Sequence, residues 1–245
     1  MKIGNVPLED RQVTAEDLSR AYDEIYSHPG RMGDSDALYH WVLDRLAASP
    51  GKTLLDVGCG EGRLIRIAGE RGLIPFGIDL SPIGVSTARI TVGREIITLG
   101  NGERLPFPDC SFDYLTNIGS LEHFPNPDNG LQEMRRVLKD TGMAALLLPN
   151  SYYLADILWH VWRTGYGPSH KQVLERFATY REWYDFIASN GFKVIRAFKY
   201  NFRFPRSKAD LDWYLRNPGK MLYLALAPFV PFNLSNHFLY LCTRR

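Results

Sequence analysis

Between residues 53 and 62 an apolar run, Thr53-Leu54-Leu55-Asp56-Val57, gives way to Gly58-Cys59-Gly60-Glu61-Gly62, and no other stretch of the sequence limits the fold as strongly. A short apolar run closed by glycines reads as a buried strand, and the helical pattern from Gly62 to Gly72 makes the junction a strand–turn–helix. Glycines at such a turn let the backbone come close to a ligand. Twenty-three residues beyond Asp56 a second run ends in Gly77-Ile78-Asp79-Leu80-Ser81. An acid at the tip of a second strand is placed to accept hydrogen bonds from the two hydroxyls of a ribose.

The same rhythm continues. Strands are expected at Thr53–Val57, Ile74–Asp79, 95–99, Phe112–Asn117 and Met143–Leu148, with helices at Gly62–Gly72, Ser81–Val92 and Pro127–Lys139 between them. Ser81-Pro82 forms a good cap and first-turn pair for the second of these helices. Such alternation predicts an α/β, Rossmann-like, mostly parallel sheet with helices on both faces. After Leu148 the alternation stops until Phe192–Lys199, too far for an ordinary loop. Leu154, Ile157, Leu158, Val161 and Trp162 recur there at helical spacing after a possible Ser151 cap, and a second helix, Tyr180–Asn190, ends at Gly191. His237–Cys242 is the last strand. The expectation is one domain over 1–245: a helical cap at 1–50, seven strands with the last antiparallel, and a helical insertion at 149–191 between strands five and six.

Glycine spacing separates the candidate ligands. A dinucleotide loop has G-x-G-x-x-G and seats a pyrophosphate on a helix N-terminus, whereas this loop is G-x-G-x-G preceded by Asp56. S-adenosylmethionine carries a sulfonium and an ammonium, which suit Asp56; a pyrophosphate would be repelled.

This stretch resembles the first motif of the class I methyltransferases that use S-adenosylmethionine, in the branch containing the ubiquinone and menaquinone C-methyltransferases. Phe76-Gly77-Ile78-Asp79-Leu80-Ser81 looks like the family's ribose-binding segment, and Gly100-Asn101-Gly102-Glu103-Arg104-Leu105-Pro106-Phe107 like its adenine-binding turn. Ser111-Phe112-Asp113-Tyr114, Leu121-Glu122-His123-Phe124 and Met134-Arg135-Arg136-Val137-Leu138-Lys139 with Gly142 extend the likeness, which is good from about Thr53 to Asn150 and poor from there to Gly191. The resemblance implies cofactor contacts at Asp56, Gly58, Cys59, Gly60, Asp79, Leu80, Asn101, Gly102 and Glu103, and a backbone contact at Asn117. Asn101 stands where the family usually has Asp; its carbonyl oxygen can still accept from an adenine amine. Tyr22 and Tyr26, on a helix before the first strand, are placed to cover the methionine end.

The resemblance makes His123 the first candidate for a general base, because the loop after the fourth strand faces the methyl group in this fold. Glu122 is a weaker candidate, with His160 and His170 after it; the alternative is that Leu121–Phe124 merely begins the next helix. Aromatic residues crowd the chain after Asn150, among them Trp159, Trp162, Trp183 and Trp213. They suggest a lid over an aromatic or lipidic small-molecule acceptor, or simply helices packed on the sheet.

The net charge of +2 offers no field for nucleic acid. Asn117-Ile118-Gly119-Ser120 lacks the Pro-Pro-aromatic signature of base-amine methylation, and there is no Pro-Cys dipeptide for attack on cytosine. Three scattered cysteines suit a reducing, cytoplasmic compartment; none has metal-ligand spacing, and no metal is expected. The N-terminus has no apolar signal region. Met221–Leu234, broken by Pro228 and Pro231, cannot span a bilayer, although Arg203, Arg206, Lys208, Arg216 and Lys220 beside it leave contact with an anionic membrane surface open. Oligomeric state is not encoded in any pattern found. A cofactor-binding protein without catalysis is the remaining alternative.

Overall fold

A computed structural model describes residues 13–28, 35–92, 96–154, 157–166, 174–202 and 204–245. Chain order runs α1 (Ala15–Tyr26), α2 (Asp36–Arg45), β1 (Thr53–Val57), α3 (Arg63–Glu70), β2 (Ile74–Asp79), α4 (Pro82–Val92), β3 (Ile97–Leu99) and β4 (Phe112–Ile118). It continues with α5 (Pro127–Val137), β5 (Leu138–Pro149), α6 (Tyr180–Ser189), β6 (Phe192–Tyr200), α7 (Lys208–Arg216), α8 (Pro218–Leu226) and β7 (His237–Arg244). The seven strands form one sheet in the order β3-β2-β1-β4-β5-β7-β6. The first five run parallel, and β7 is antiparallel to both of its neighbours.

Period-two alternation divides the core. On β5, Ala144, Leu146 and Leu148 face α5 and α6, while Ala145 and Leu147 face α2. On β7, Phe238, Tyr240 and Cys242 share the first face and Leu239 and Leu241 the second. Both faces are therefore apolar, as strands covered on two sides must be. The α6 helix shows why its sequence folds as it does. Thr179 and Glu182 make a reciprocal capping box, Trp183, Phe186 and Ile187 bury one stripe, and Gly191 at φ +81° ends it. Burying three such side chains contributes roughly 1.5–3 kcal/mol each.

Two expectations need correction. Leu154, Ile157, Leu158, Val161 and Trp162 lie on helical backbone as their spacing predicts, but its form differs: Ile157–Val161 is a π-helical turn and Trp162–Thr164 a single α turn. Trp162 is 82% exposed. The Ser151 amide donates to the Ala178 carbonyl, and Asn150 Oδ1 accepts from the Tyr152 amide. The second concerns the excursion between β6 and β7: for 221–234 the sequence offered a buried helix followed by a turn, or an apolar lip beside a pocket, and the structure has two helices, α7 and α8, before the turns. Glu95, His170 and Arg203, and the side chains of Leu158, Trp159 and Lys220, lie outside the described residues.

Candidate functional site

The sheet order places the switch point between β1 and β4, because the chain leaves β1 toward β2 and returns on its other side at β4. In open α/β sheets ligands bind at the carboxyl ends of the strands at such a point. A cavity of about 380 Å³ opens there, walled by the loops after β1, β2 and β4 and by α1 and α2.

The glycine loop is sewn to β2. The Gly58 and Cys59 amides both donate to the Ile78 carbonyl, at 2.8 and 3.1 Å, and the Gly60 amide donates to Asp79 Oδ2 at 2.8 Å. Gly58 and Gly60 take φ of +78° and +50°. A Cβ on Gly58 would lie 2.2 Å from Ser120 Oγ, and one on Gly60 2.7 Å from Tyr26 Oη. Side chains are thus excluded by conformation and by space, so bare backbone faces the cavity. Asp79 also accepts the Ser81 amide at 2.9 Å through Oδ1, so it joins loop, strand and helix start. With two oxygens and about four lone-pair directions, its carboxylate retains capacity for ribose hydroxyls.

Both acids of this wall are buried, Asp56 to 3% and Asp79 to 8% exposure. Burial pushes the Asp56 carboxyl up to about 7, a hydrogen bond from Thr116 (2.6 Å) opposes it, and the Asp79 charge adds to it. Burial likewise raises Asp79, against the amides of Ser81 and Gly60. Two acids held at this cost fit a cationic ligand, which would restore their ionised forms, and disfavour a diphosphate. The donor set and the bare glycine cradle therefore fit S-adenosylmethionine. Burial, then the neighbouring carboxylates, raises the Cys59 thiol well above its ordinary range, so it stays protonated and is no nucleophile.

Helix α1 forms the roof. Leu18, Tyr22 and Tyr26, four residues apart, all face the cavity. Ser19 Oγ donates to the Leu80 carbonyl at 3.0 Å, Ser81 Oγ donates to Asp23, and the Ile83 amide donates to Asp23 at 3.1 Å. These bonds pin α1 onto the β2–α4 turn, with an acid at a helix N-terminus where it is favourable. Burial, then nearby carboxylates, raises both tyrosines, so they remain neutral donors. Ser19 and Asp23 were missed by the sequence reading, although the four-residue repeat of α1 marks their side of the helix.

Beyond the loop after β4, His123 is buried but reaches the cavity. Its Nδ1 lies 2.6 Å from the Leu174 carbonyl. A carbonyl only accepts, so the proton sits on Nδ1 and Nε2 is the basic nitrogen. Tyr22 meets the imidazole edge-on at 6.0 Å. Arg176 holds the loop from behind, donating to the Glu122, Phe124 and Pro125 carbonyls. Glu122 is buried to 3%, its Oε2 has no hydrogen-bond partner among the described residues, and burial pushes it up to about 8. It does not wall the cavity.

Leu80, Asn101 and Gly102 line the cavity, with two differences from expectation. Asn101 Oδ1 already accepts the Glu103 amide at 2.9 Å, which leaves its second lone pair for a ligand. The space over Gly102 holds the Phe124 ring, 2.5 Å from where a Cβ would sit, so this glycine admits a phenylalanine. Glu103 and Asn117 are not among the residues that line the cavity. Glu103 Oε1 accepts the Asn126 amide, while Asn117 donates to the Val57 carbonyl and accepts the Leu121 amide, bracing β1 against β4. Ile118, Gly119 and Ser120 occupy the wall instead.

The expected lid also differs. Among the described residues no side chain of 149–191 lines the cavity; Ala15, Leu18, Leu38 and Tyr39 from the first two helices close it, with Leu147 and His237. Trp183 lies in the core, its indole donating to the Pro149 carbonyl at 2.8 Å, and Trp213 packs on Tyr214. Trp183 and Trp213 are packing residues, while Trp162 is exposed. His160 is not among the lining residues.

A family model described as a methyltransferase domain matches residues 55–146. An uncharacterized protein of Methanocaldococcus jannaschii is 26% identical over 82% of this chain and 83% of its own length. The ubiquinone/menaquinone biosynthesis C-methyltransferase of Stenotrophomonas maltophilia is 30% identical over 60% of this chain, which spans 65% of that enzyme, just under two thirds. Among solved structures, a putative methyltransferase from a complex with the Haloferax volcanii Trm112 methyltransferase activator superposes at a TM-score of 0.67, with 20% identity over 93% of this chain and 97% of that one.

Proposed function

We propose that this chain, a class I S-adenosylmethionine-dependent methyltransferase of the ubiquinone and menaquinone C-methyltransferase branch, methylates a small, largely apolar acceptor held between its first two helices and the sheet. One observation carries the reading: the acidic glycine cradle and an apolar lobe share one cavity, with His123 on its wall. Leu18, Leu38, Ile118 and Leu147 supply that lobe. Ligand sites are commonly apolar with a few placed polar groups, and this one follows the pattern.

S-adenosylmethionine, when bound, supplies an electrophilic methyl on a sulfonium leaving group. The protein has to orient the acceptor and exclude water. Gly58 and Gly60 present backbone, Asp79 would take the ribose hydroxyls, and Asp56 would face the ammonium. Tyr22 and Tyr26 roof the methionine end. His123 Nε2 would take the proton that an acceptor hydroxyl or acidic carbon must lose, and the Leu174 carbonyl holds the opposite nitrogen as donor. Residues 221–234 form no span: among the described residues no helix is long and apolar enough to cross a membrane.

Incubation with methyl-labelled cofactor and fractionated cell extract tests this. Label is expected in a low-mass, organic-soluble product whose fragmentation identifies the methylated atom. Label in nucleic acid or protein, or no transfer despite cofactor binding, overturns it.

A further inference from the structure

Residues 204–229, most of the excursion between β6 and β7, expose six large apolar side chains: Phe204, Leu211, Leu215, Met221, Leu226 and Phe229. Single exposed hydrophobics are ordinary, but a cluster of them on adjoining elements needs a reason. Helix α7 turns Asp210 and Tyr214 inward and Leu211 and Leu215 outward, each pair four residues apart. Helix α8 buries Leu224 and leaves Met221 exposed, and Phe229, eight residues on, is 84% exposed. The two helices pack on each other, and α8 also on the turn that follows it.

The charge on this segment is one-sided. Residues 201–236 carry Arg203, Arg206, Lys208, Arg216 and Lys220 against only Asp210 and Asp212. Asp210 is buried, accepting the Ala37 amide at 3.2 Å and the Arg206 amide at 2.9 Å, and Arg206 pairs with Asp44 at 2.9 Å, which leaves Lys208 and Arg216 to carry the positive bias of the described segment. Lys208 and Arg216, at the two ends of α7, are exposed on either side of Leu211 and Leu215.

We infer that the α7–α8 face docks on an anionic lipid surface, with its apolar side chains in the headgroup boundary and Lys208 and Arg216 among the phosphates. Apolar residues bordered by cations are what such a surface attracts. A protein partner would be served by the apolar side chains alone; the charge bias favours lipid. The bond from the Ala37 amide to Asp210 ties this face to the start of α2, whose Leu38 and Tyr39 wall the cavity. Docking therefore brings the apolar lobe toward the phase in which an apolar acceptor dissolves. The inference stands apart from the cofactor reading, because lipid binding is measured without cofactor.

Co-sedimentation of the full chain with phosphatidylcholine vesicles, with and without roughly a third phosphatidylglycerol, tests it. Binding is expected to the anionic vesicles only and to weaken at high salt. Lys208→Glu with Arg216→Glu is expected to cut partitioning at least tenfold, since each cation near such a surface contributes about fivefold. Leu215→Ser with Phe229→Ser is expected to do the same, while cofactor affinity by calorimetry stays at the parent value and shows that each variant is folded. Protein remaining in the supernatant with anionic vesicles, or charge-reversed protein binding like the parent, overturns the inference. So does self-association of the parent that Phe229→Ser abolishes without any vesicle binding, which would make the face a protein interface. Loss of cofactor binding by the parent would refute only the cofactor reading.

Discussion

The two sides of the cavity are built on opposite plans. Its cofactor side comes from strand tips and tight loops of one contiguous stretch, and backbone amides do most of the work: Gly58, Cys59 and Gly60 are all bonded to the end of β2. The side proposed for the acceptor is assembled from distant segments. Leu18 and Leu38 come from the first two helices, Leu147 from β5 and His237 from β7, while the loop bearing His123 is held by Leu174 and Arg176. Geometry fixed by backbone leaves a short, readable motif. Geometry fixed by packing between remote side chains leaves none, and it is the side free to change with the acceptor.

The largest effect should break the comparison if it is wrong. His123→Ala is expected to lower kcat by roughly 100- to 10,000-fold with cofactor affinity unchanged, as loss of a general base does. Parallel loss of cofactor affinity by calorimetry would mean that the two sides are not separable. Asp79→Ala comes next, weakening cofactor binding by about 1.5–3 kcal/mol, roughly 10- to 150-fold, because a cluster of buried donors loses its acceptor. Unchanged affinity would reduce Asp79 to a helix cap.

A smaller effect sharpens the contrast through pH. Burial raises the folded-state values of Glu122 and Asp56 from 4.5 and 3.8 to about 8 and about 7. The folded chain then binds more protons than the unfolded one, so the stability this confers is complete below about pH 4 and is lost as pH rises through 7 and 8. Thermal melting without cofactor is expected to fall from pH 5 to pH 9, and Glu122→Gln to recover about 1–2 kcal/mol at pH 9 and nothing at pH 5. Saturating cofactor should flatten the part belonging to Asp56 and leave that of Glu122. The smallest change is Asp23→Ala, which unpins α1 and should cost about 1 kcal/mol in a denaturant titration, as loss of a helix-cap acceptor does.

Legibility follows the same division. The parallel core, the antiparallel last strand and the cradle of Asp56, Gly58, Gly60 and Asp79 were readable because buried strands, glycine turns and terminal acids obey local rules. The side chains of Glu103 and Asn117 bond the Asn126 amide and the Val57 carbonyl, pairings no sequence pattern shows. Leu38 and His237 were missed since nothing local distinguishes a cavity-facing leucine or a strand-end histidine from a packed one. The insertion at 149–191 reads as a lid by its aromatics, and in its described part the Leu174 carbonyl and the Arg176 guanidinium steady the loop that carries His123, contacts that no local pattern marks.

The position of β7 between β5 and β6 also governs how the chain can be made. Strand β5 ends at Pro149, and the partner that covers its flank begins only at His237. Until a ribosome has released that last segment, the nascent protein must wait with an open apolar edge, and β6 has no neighbour to join. Premature termination anywhere before residue 237 should therefore yield material bound by chaperones and cleared by proteases, not a smaller working enzyme.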